Sequence, residues 1–452
     1  MLIHKFKQGN EYYVLDVNTG SLHIIDKLAY DILDENKLEN MDDIIKRFNC
    51  IYDENELREA YDEISLLILN KELYTEDIYE EIAKRSLEGI SYIKALCLNV
   101  AHDCNLKCTY CFAEEGEYKG KRSLMTYDVG KRAIDFVIKM SGPRKNIEVD
   151  LFGGEPLMAF DAVKKIVEYG KTQGKESNKN IRFTLTTNAM LLNDEIIDFI
   201  ENNIDNIILS IDGRKEVNDR VRKRADGKGS YDIIMPKIKK MVQKRSDGKQ
   251  YYARGTFTAN NLDFYEDVMH LVGNGFKEIS FEPVVLKEGD ELSIKQRDVS
   301  KILDEYDKLT EEMKTRINTE DKFKFYHFAI DIDGGPCIYK RISGCGAGHE
   351  YVSITPEGDI YPCHQFIGNK KFKMGNIMEQ TFDKTIGDEF KEAHVYNKPK
   401  CKACWAKFYC SGGCQANNYN FNGDMHIPYD IGCQMQKKRI ECALALKSAE
   451  LI

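Results

Sequence analysis

Between residues 93 and about 285, six short runs rich in β-branched and aromatic residues recur, each followed by a stretch of helical character. No other feature of the chain restricts its fold as strongly. The runs are "IKALCLNV", "NIEVDLFG", "IRFTLTT", "NIILSID", "ARGTFTA" and "EISFEPVV". Between them lie segments such as "TYDVGKRAIDFVIKM", which Thr126 is placed to cap, and "YEDVMHLVGNGF". Regular βα repetition predicts a parallel sheet with right-handed crossovers. Six units are too few for a closed eight-stranded barrel. The expected fold is therefore α/β, a partial (β/α)6 barrel of TIM type over residues 90–315. Its working mouth would lie at the C-terminal ends of the strands.

Residues 1–85 read as a separate unit. "EYYVLDVNTGSLHIID" is two alternating strands joined at Asn18-Thr19-Gly20. Three amphipathic segments follow, around "KLAYDILDE", "MDDIIKRFN" and "ENELREAYDEISLLILNKEL". A hairpin with three helices predicts a winged-helix-like domain. Residues 316–340 read as a bridge, and 341–452 as a cysteine-rich C-terminal domain.

The first residues carry no apolar core of a signal peptide, and no apolar run reaches the roughly 18 residues of a membrane span. A cytoplasmic protein without a membrane partner is expected, and there thiols stay reduced. The fourteen cysteines are then expected to be metal ligands or catalysts rather than disulfides. The net charge of −9 argues against a nucleic-acid partner, and the basic run "DRVRKR" reads as solvated surface.

Three cysteines cluster at Cys104, Cys108 and Cys111, directly after the first strand. A structural zinc site takes four ligands, and His102 is poorly placed to be the fourth. A [4Fe–4S] cube on three cysteines keeps one iron open for chemistry. Cys104-x3-Cys108-x2-Cys111, with Tyr110 before the last cysteine, resembles the signature of radical S-adenosylmethionine (SAM) enzymes. "GGEP", Gly153, Gly154, Glu155 and Pro156, resembles the segment that holds the SAM amino group in that family. The glycines would allow close approach of a ligand, and Glu155 would accept from an ammonium. "TTNAMLL", with Asn188, and "LSIDG" end the third and fourth strands as in relatives. That likeness implies Ser210 and Asp212 for the ribose or nearby polar contacts. Asn218 stands where the family usually has His, and Arg222 is a candidate for the SAM carboxylate.

Further on, Cys345, Gly358 and Cys363 precede Cys401-x2-Cys404-x5-Cys410-x3-Cys414 and Cys433. The order resembles the seven-cysteine SPASM domain of peptide-modifying radical SAM enzymes. The resemblance implies one auxiliary cluster on Cys401, Cys404, Cys410 and Cys433 and another on Cys345, Cys363 and Cys414, making three [4Fe–4S] clusters in all. The last set is one ligand short. Either Cys337 completes it, or its iron stays open for a thiolate of the substrate. Cys50, Cys97 and Cys442 fit neither motif and are read as packing residues.

With this body, the N-terminal unit resembles the precursor-recognition element of enzymes that modify ribosomally made peptides, where a leader adds a strand to a sheet edge. The whole chain resembles maturases of cysteine-rich SCIFF precursors and, more broadly, sactipeptide thioether synthases. The implied reaction is one-electron cleavage of SAM, hydrogen abstraction from a peptide carbon, and bonding of a cysteine sulfur to that carbon. The implied partners are a cysteine-rich precursor peptide, whose leader binds the N-terminal domain, and an external electron donor of flavodoxin or ferredoxin type. Alternatives are a formylglycine-forming anaerobic sulfatase maturase, a carbon–carbon crosslinking maturase, and a DNA-binding iron–sulfur sensor.

Overall fold

The computed structural model describes residues 2–118, 120–287, 289–330 and 342–451. Its N-terminal part is an antiparallel sheet of β1 (Ile3–Gln8), β2 (Glu11–Asp16) and β3 (Leu22–Ile25), with β2 in the middle. The expected hairpin is β2–β3. Its turn is held by Asp16, whose Oδ1 accepts from the amides of Asn18 and Thr19, and by Gly20 at φ 80°. Sequence reading missed β1, because "IHKFKQ" alternates charge with apolar residues only weakly. Helices α1 (Lys27–Ile32), α2 (Met41–Phe48) and α3 (Glu54–Leu69) are capped by Asp26, Asn40 and Asp53. A further helix, α4 (Tyr79–Leu87), was not expected. Val14, Ile32, Ile44, Leu57 and Ile64 form the common core of this part.

One face of the small sheet lies against the C-terminal domain: Phe6, Tyr13 and Leu15 pack with Ala406, Ile440 and Leu444. On the same face the His4 ring stacks on Trp405 at 3.6 Å and its Nε2 lies 2.9 Å from Glu441. The outer edges of β1 and β3 pair with no strand among the described residues.

From residue 95 the strands are β4 (Ala95–His102), the short β5 (Leu106–Cys108) and β6 (Ser123–Leu124), then β7 (Asn146–Gly153), β8 (Asn180–Thr187) and β9 (Asn206–Ser210). After the short β10 (Arg222–Arg224) come β11 (Gln250–Phe257), β12 (Glu278–Pro283) and the short β13 (Lys324–Phe325). Strands β4, β7, β8, β9, β11, β12 and β13 lie side by side in that order, all parallel. Helices α5 (Tyr127–Met140), α6 (Phe160–Glu176), α7 (Asp194–Asn203), α8 (Lys215–Val221), α9 (Tyr231–Lys244), α10 (Phe264–Gly273) and α11 (Val299–Arg316) fill the connections. Alternate strand residues divide the two faces. Ile207, Leu209, Ala253, Ile279 and Phe281 join the helices in the main core. On the other face Asn206, Tyr252, Arg254, Ser280 and Glu282 line a polar cavity of about 200 Å³.

The C-terminal part continues this sheet. Strand β14 (Tyr351–Ile354) pairs in parallel with the free side of β4, and β15 (Asp359–Tyr361), β16 (Gly375–Asn376) and β17 (Thr381–Phe382) extend it antiparallel. The final helix, Asp430–Leu451, packs against α11 and β1. Cys97 and Cys442 are buried in cores, as expected of packing residues, but Cys50 is exposed. Cys50 follows the end of α2, where its thiol reaches only the Asn49 side chain at 3.4 Å.

Candidate functional site: three groups of cysteines around a polar lumen

The triplet loop leaves β4 and turns back as β5, which pairs antiparallel with β10 so that Cys108 stands opposite Arg222. Cys104 Sγ accepts from the Leu106 amide at 3.4 Å and from Asn188 Nδ2 at 3.6 Å. The same Asn188 amide donates to Asn105 Oδ1 at 2.8 Å, so the end of β8 is tied to the loop. Burial pushes the Cys104 and Cys108 thiols up, to about 12 and about 11. Such thiols ionise when a metal replaces their protons.

"GGEP" lies against the backbone of the triplet loop. A Cβ on Gly153, at φ 137°, would stand 2.3 Å from the Ala101 carbonyl oxygen, and one on Gly154 would stand 2.2 Å from that of Asp103. The amides of Gly154 and Glu155 donate to those same two carbonyls, at 2.7 and 2.9 Å. The glycines admit the backbone of the triplet loop itself. Glu155 is fully buried, and its carboxylate accepts from the amides of Leu157 and Asn188 and from Thr187 Oγ1 at 2.7–3.1 Å. Burial lifts its pKa to about 7 against those three donors. Its side chain therefore joins β7 to β8. Pro156 is buried at the start of the turn that follows.

Tyr110, Asp212 and Arg222 form one buried unit. The Tyr110 hydroxyl donates to Asp212 Oδ2 at 2.7 Å and accepts from Arg222 Nη1 at 2.8 Å; that nitrogen lies 3.8 Å from Asp212 Oδ1. Asp212 also accepts from the Thr256 amide at 3.0 Å. Burial acts to pull Arg222 down, but Tyr110, Cys108 and Asp212 outweigh it, and its pKa stands well above the ordinary value. These contacts join Asp212 and Arg222 through the Tyr110 hydroxyl. Asn218 is fully buried, accepting from the Asp212 amide and donating to Ser230. Ser210 ends β9 half-buried, opposite Arg254.

The C-terminal cysteines assemble in two groups. Burial raises Cys401, Cys410 and Cys433 to about 11, and these thiols and Cys404 lie close enough to influence one another. Cys363 is raised well above its usual range by burial, with Cys414 and Cys345 as neighbouring thiols. Cys337 lies outside the described residues. His364 links the second group to the triplet loop, its ring 5.5 Å from Phe112 and 5.1 Å from Phe152. A cavity of about 340 Å³ lined by Glu282, His327, Cys410, Cys414, Cys433 and Arg439 opens between the end of β12 and the final helix.

Groups of three and four thiols are the donor set of iron–sulfur clusters. One residue that sequence reading passed over belongs to the site: Lys398, completely buried, whose ammonium donates to the Gly412 carbonyl at 3.0 Å. The local sequence "NKPKCKAC" reads as solvated, so the signal was hidden.

Residues 98–252 match the radical SAM superfamily and residues 345–405 match SPASM, an iron–sulfur cluster-binding domain. The chain is 32% identical over 203 residues to an uncharacterized protein of Methanocaldococcus jannaschii, covering 45% of this chain and 66% of that one. It is 23% identical over 331 residues to the cysteine-type anaerobic sulfatase-maturating enzyme of Clostridium novyi, covering 70% and 86%. Its fold is similar to that of Streptococcus suis SuiB bound to precursor peptide SuiA, with TM-score 0.57 and 16% identity over 95% of this chain and 98% of that one.

Proposed function

We propose that this chain, a radical SAM enzyme with a SPASM domain, matures a ribosomally made, cysteine-rich peptide by joining a cysteine sulfur to a carbon of another residue. The observation that carries the reading is the outer edge of β3, which pairs with no strand among the described residues, on a unit whose sheet face packs against the C-terminal domain. An extended leader can add there as a fourth strand, its main chain giving affinity and its side chains register. The likeness to SuiB, a protein solved with a precursor peptide, extends over this N-terminal region and supports the same reading.

When bound, SAM and its cluster supply hydrogen-atom abstraction from a peptide carbon. The rest falls to the chain. Cys104, Cys108 and Cys111 would hold that cluster, with Tyr110, Asp212 and Arg222 keeping their loop in place. Gly153, Gly154 and Asn188 fix the neighbouring strand ends, and Ser210 faces the same region. The polar lumen, with Arg254 and Glu282, would receive the peptide. Cys345, Cys363 and Cys414 would hold a second cluster with one position left for a substrate thiolate, and Cys401, Cys404, Cys410 and Cys433 a third. One C–H and one S–H bond break and one C–S bond forms. The first hydrogen would leave as an atom to the radical derived from SAM; the second would leave as a proton, and the clusters held by the C-terminal cysteines would supply an acceptor for the remaining electron. An external carrier of flavodoxin or ferredoxin type supplies the electron that starts the reaction.

A second reading, formylglycine formation in a sulfatase, is favoured by the Clostridium novyi relative. It gives residues 1–85 no task. The two separate by mass spectrometry after anaerobic reaction with a cysteine-rich precursor. A thioether removes two hydrogens and leaves the sulfur blocked to alkylation, whereas an aldehyde product reacting with hydrazide would overturn the proposal. Iron analysis accompanies it: about twelve irons per chain are expected for three clusters.

A further inference from the structure

Lys398 is among the largest fully buried side chains of the protein, and no carboxylate among the described residues pairs with it. The contrast with Lys407 is instructive. That lysine is also buried, and its ammonium meets Asp77 at 2.6 Å. An ammonium taken out of water needs a compensating negative charge, and a single carbonyl, that of Gly412, is a weak one. What surrounds Lys398 instead is sulfur: Cys401, Cys410, Cys414 and Cys433 all act on its charge. Three of these belong to the four-cysteine group and one to the three-cysteine group.

The backbone is shaped to bring the ammonium there. Lys398 starts the short helix Pro399–Lys402, and its carbonyl accepts from the Cys401 amide at 2.9 Å. Gly412, between Cys410 and Cys414, stands at φ 83°, and a Cβ on it would come within 3.3 Å of the lysine nitrogen. Thiols alone are neutral and, apart from Asp424 acting at longer range, would leave the cation uncompensated. Four thiolates around a [4Fe–4S] core carry net negative charge, which grows by one on reduction.

We propose that Lys398 is a built-in countercharge for the cluster on Cys401, Cys404, Cys410 and Cys433, raising its reduction potential so that it accepts the electron released on thioether closure. The electron-acceptor half rests on the function proposed above; the countercharge half does not. A fixed positive charge favours the more negative, reduced state of the cluster. Net charge is one of the factors that set such potentials. Lys398 touches neither SAM nor peptide. It acts through the cluster, as a positioning residue.

The test is an EPR-monitored redox titration of anaerobically reconstituted full-length protein, without peptide, comparing wild type with Lys398→Met and Lys398→Arg. A background lacking Cys104, Cys108 and Cys111 leaves only the auxiliary signals. At a fixed poise the Met variant should show at least a tenfold lower ratio of reduced to oxidised cluster, a shift of about 59 mV for one electron. The Arg variant should stay close to wild type. A Met variant with full iron content and an unshifted midpoint overturns the proposal. Should the Met variant fail to hold iron, Lys398→Gln is titrated in its place under the same criterion. If both neutral variants lose this cluster while Arg keeps it, the countercharge is upheld; if Arg loses it too, the role is steric and the proposal falls. Because no peptide is present, failure of the thioether reading would leave this result untouched.

Discussion

Asp77 and Lys407 meet at 2.6 Å, and through them the segment before α4 is joined to the helix that carries Cys410. Tyr396 adds a hydrogen bond to Asp77 at 3.0 Å, and Lys402 pairs with Glu80 one turn on, at 2.9 Å. The N-terminal unit is thus anchored to the part of the enzyme that would carry the auxiliary clusters.

This contact makes the anchorage sensitive to acid. Burial acts to raise the Asp77 pKa, but Lys407, the Tyr79 amide and Tyr396 outweigh it and hold it below the ordinary 3.8. A carboxylate depressed in the folded state contributes fully above its unfolded pKa, and the contribution is lost as pH falls through the folded value. Asp77→Asn should cost about 2 kcal/mol at neutral pH in denaturant unfolding. It should also lose less stability than wild type below about pH 4. Equal acid profiles for the two proteins would show that the pair does not govern the anchorage.

Tyr110→Phe and Arg222→Met should differ in severity. The first removes a hydroxyl whose pKa burial raises well above normal, which keeps it a donor to Asp212; about 1–3 kcal/mol is expected. The second leaves Asp212 as a buried charge with its cation gone, about 3–5 kcal/mol. Iron retained by the triplet cluster should fall in the same order. Equal retention in both variants would mean the unit does not support the loop.

Gly154→Ala is expected to be worse than an ordinary surface change even though nothing but a methyl is added. The obstruction is a main-chain carbonyl, that of Asp103, which can move only with the triplet loop. Loss of about 1–3 kcal/mol or more, with little iron at the first cluster and the auxiliary clusters intact, is the expected outcome. Full loading of the first cluster would show that the loop tolerates displacement.

Leader binding should leave a directional trace in hydrogen exchange. Amides of Leu22–Ile25 should gain protection when a precursor peptide is added, while those of Ile3–Gln8, on the opposite outer strand, should not change. Protection appearing at β1 alone would place the leader elsewhere.

Much of this architecture was legible because its signals are local. Alternation and β-branching marked all six main parallel strands, and Asn18-Thr19-Gly20 marked the β2–β3 turn. The cysteine spacings placed the groups that the fold assembles. What escaped depends on distant partners. The pairing of β5 with β10 joins three-residue segments more than a hundred positions apart, too short to show a period. Nothing in the sequence signals that Tyr110 links Asp212 to Arg222. Lys398 sits in a run of lysines that composition alone assigns to the surface.

Strand β4 lies between β7 on one side and β14 on the other, and β14 comes from the C-terminal domain. A protein cut before Tyr351 would therefore present one long side of β4 bare, with its unmatched amides and carbonyls directed outward. Such an edge is a template for pairing with another chain, so the shortened enzyme should self-associate into oligomers or precipitate rather than survive as a simpler catalyst. The cysteine-rich region is in that sense the lid on an aggregation hazard that the parallel sheet cannot cover by itself.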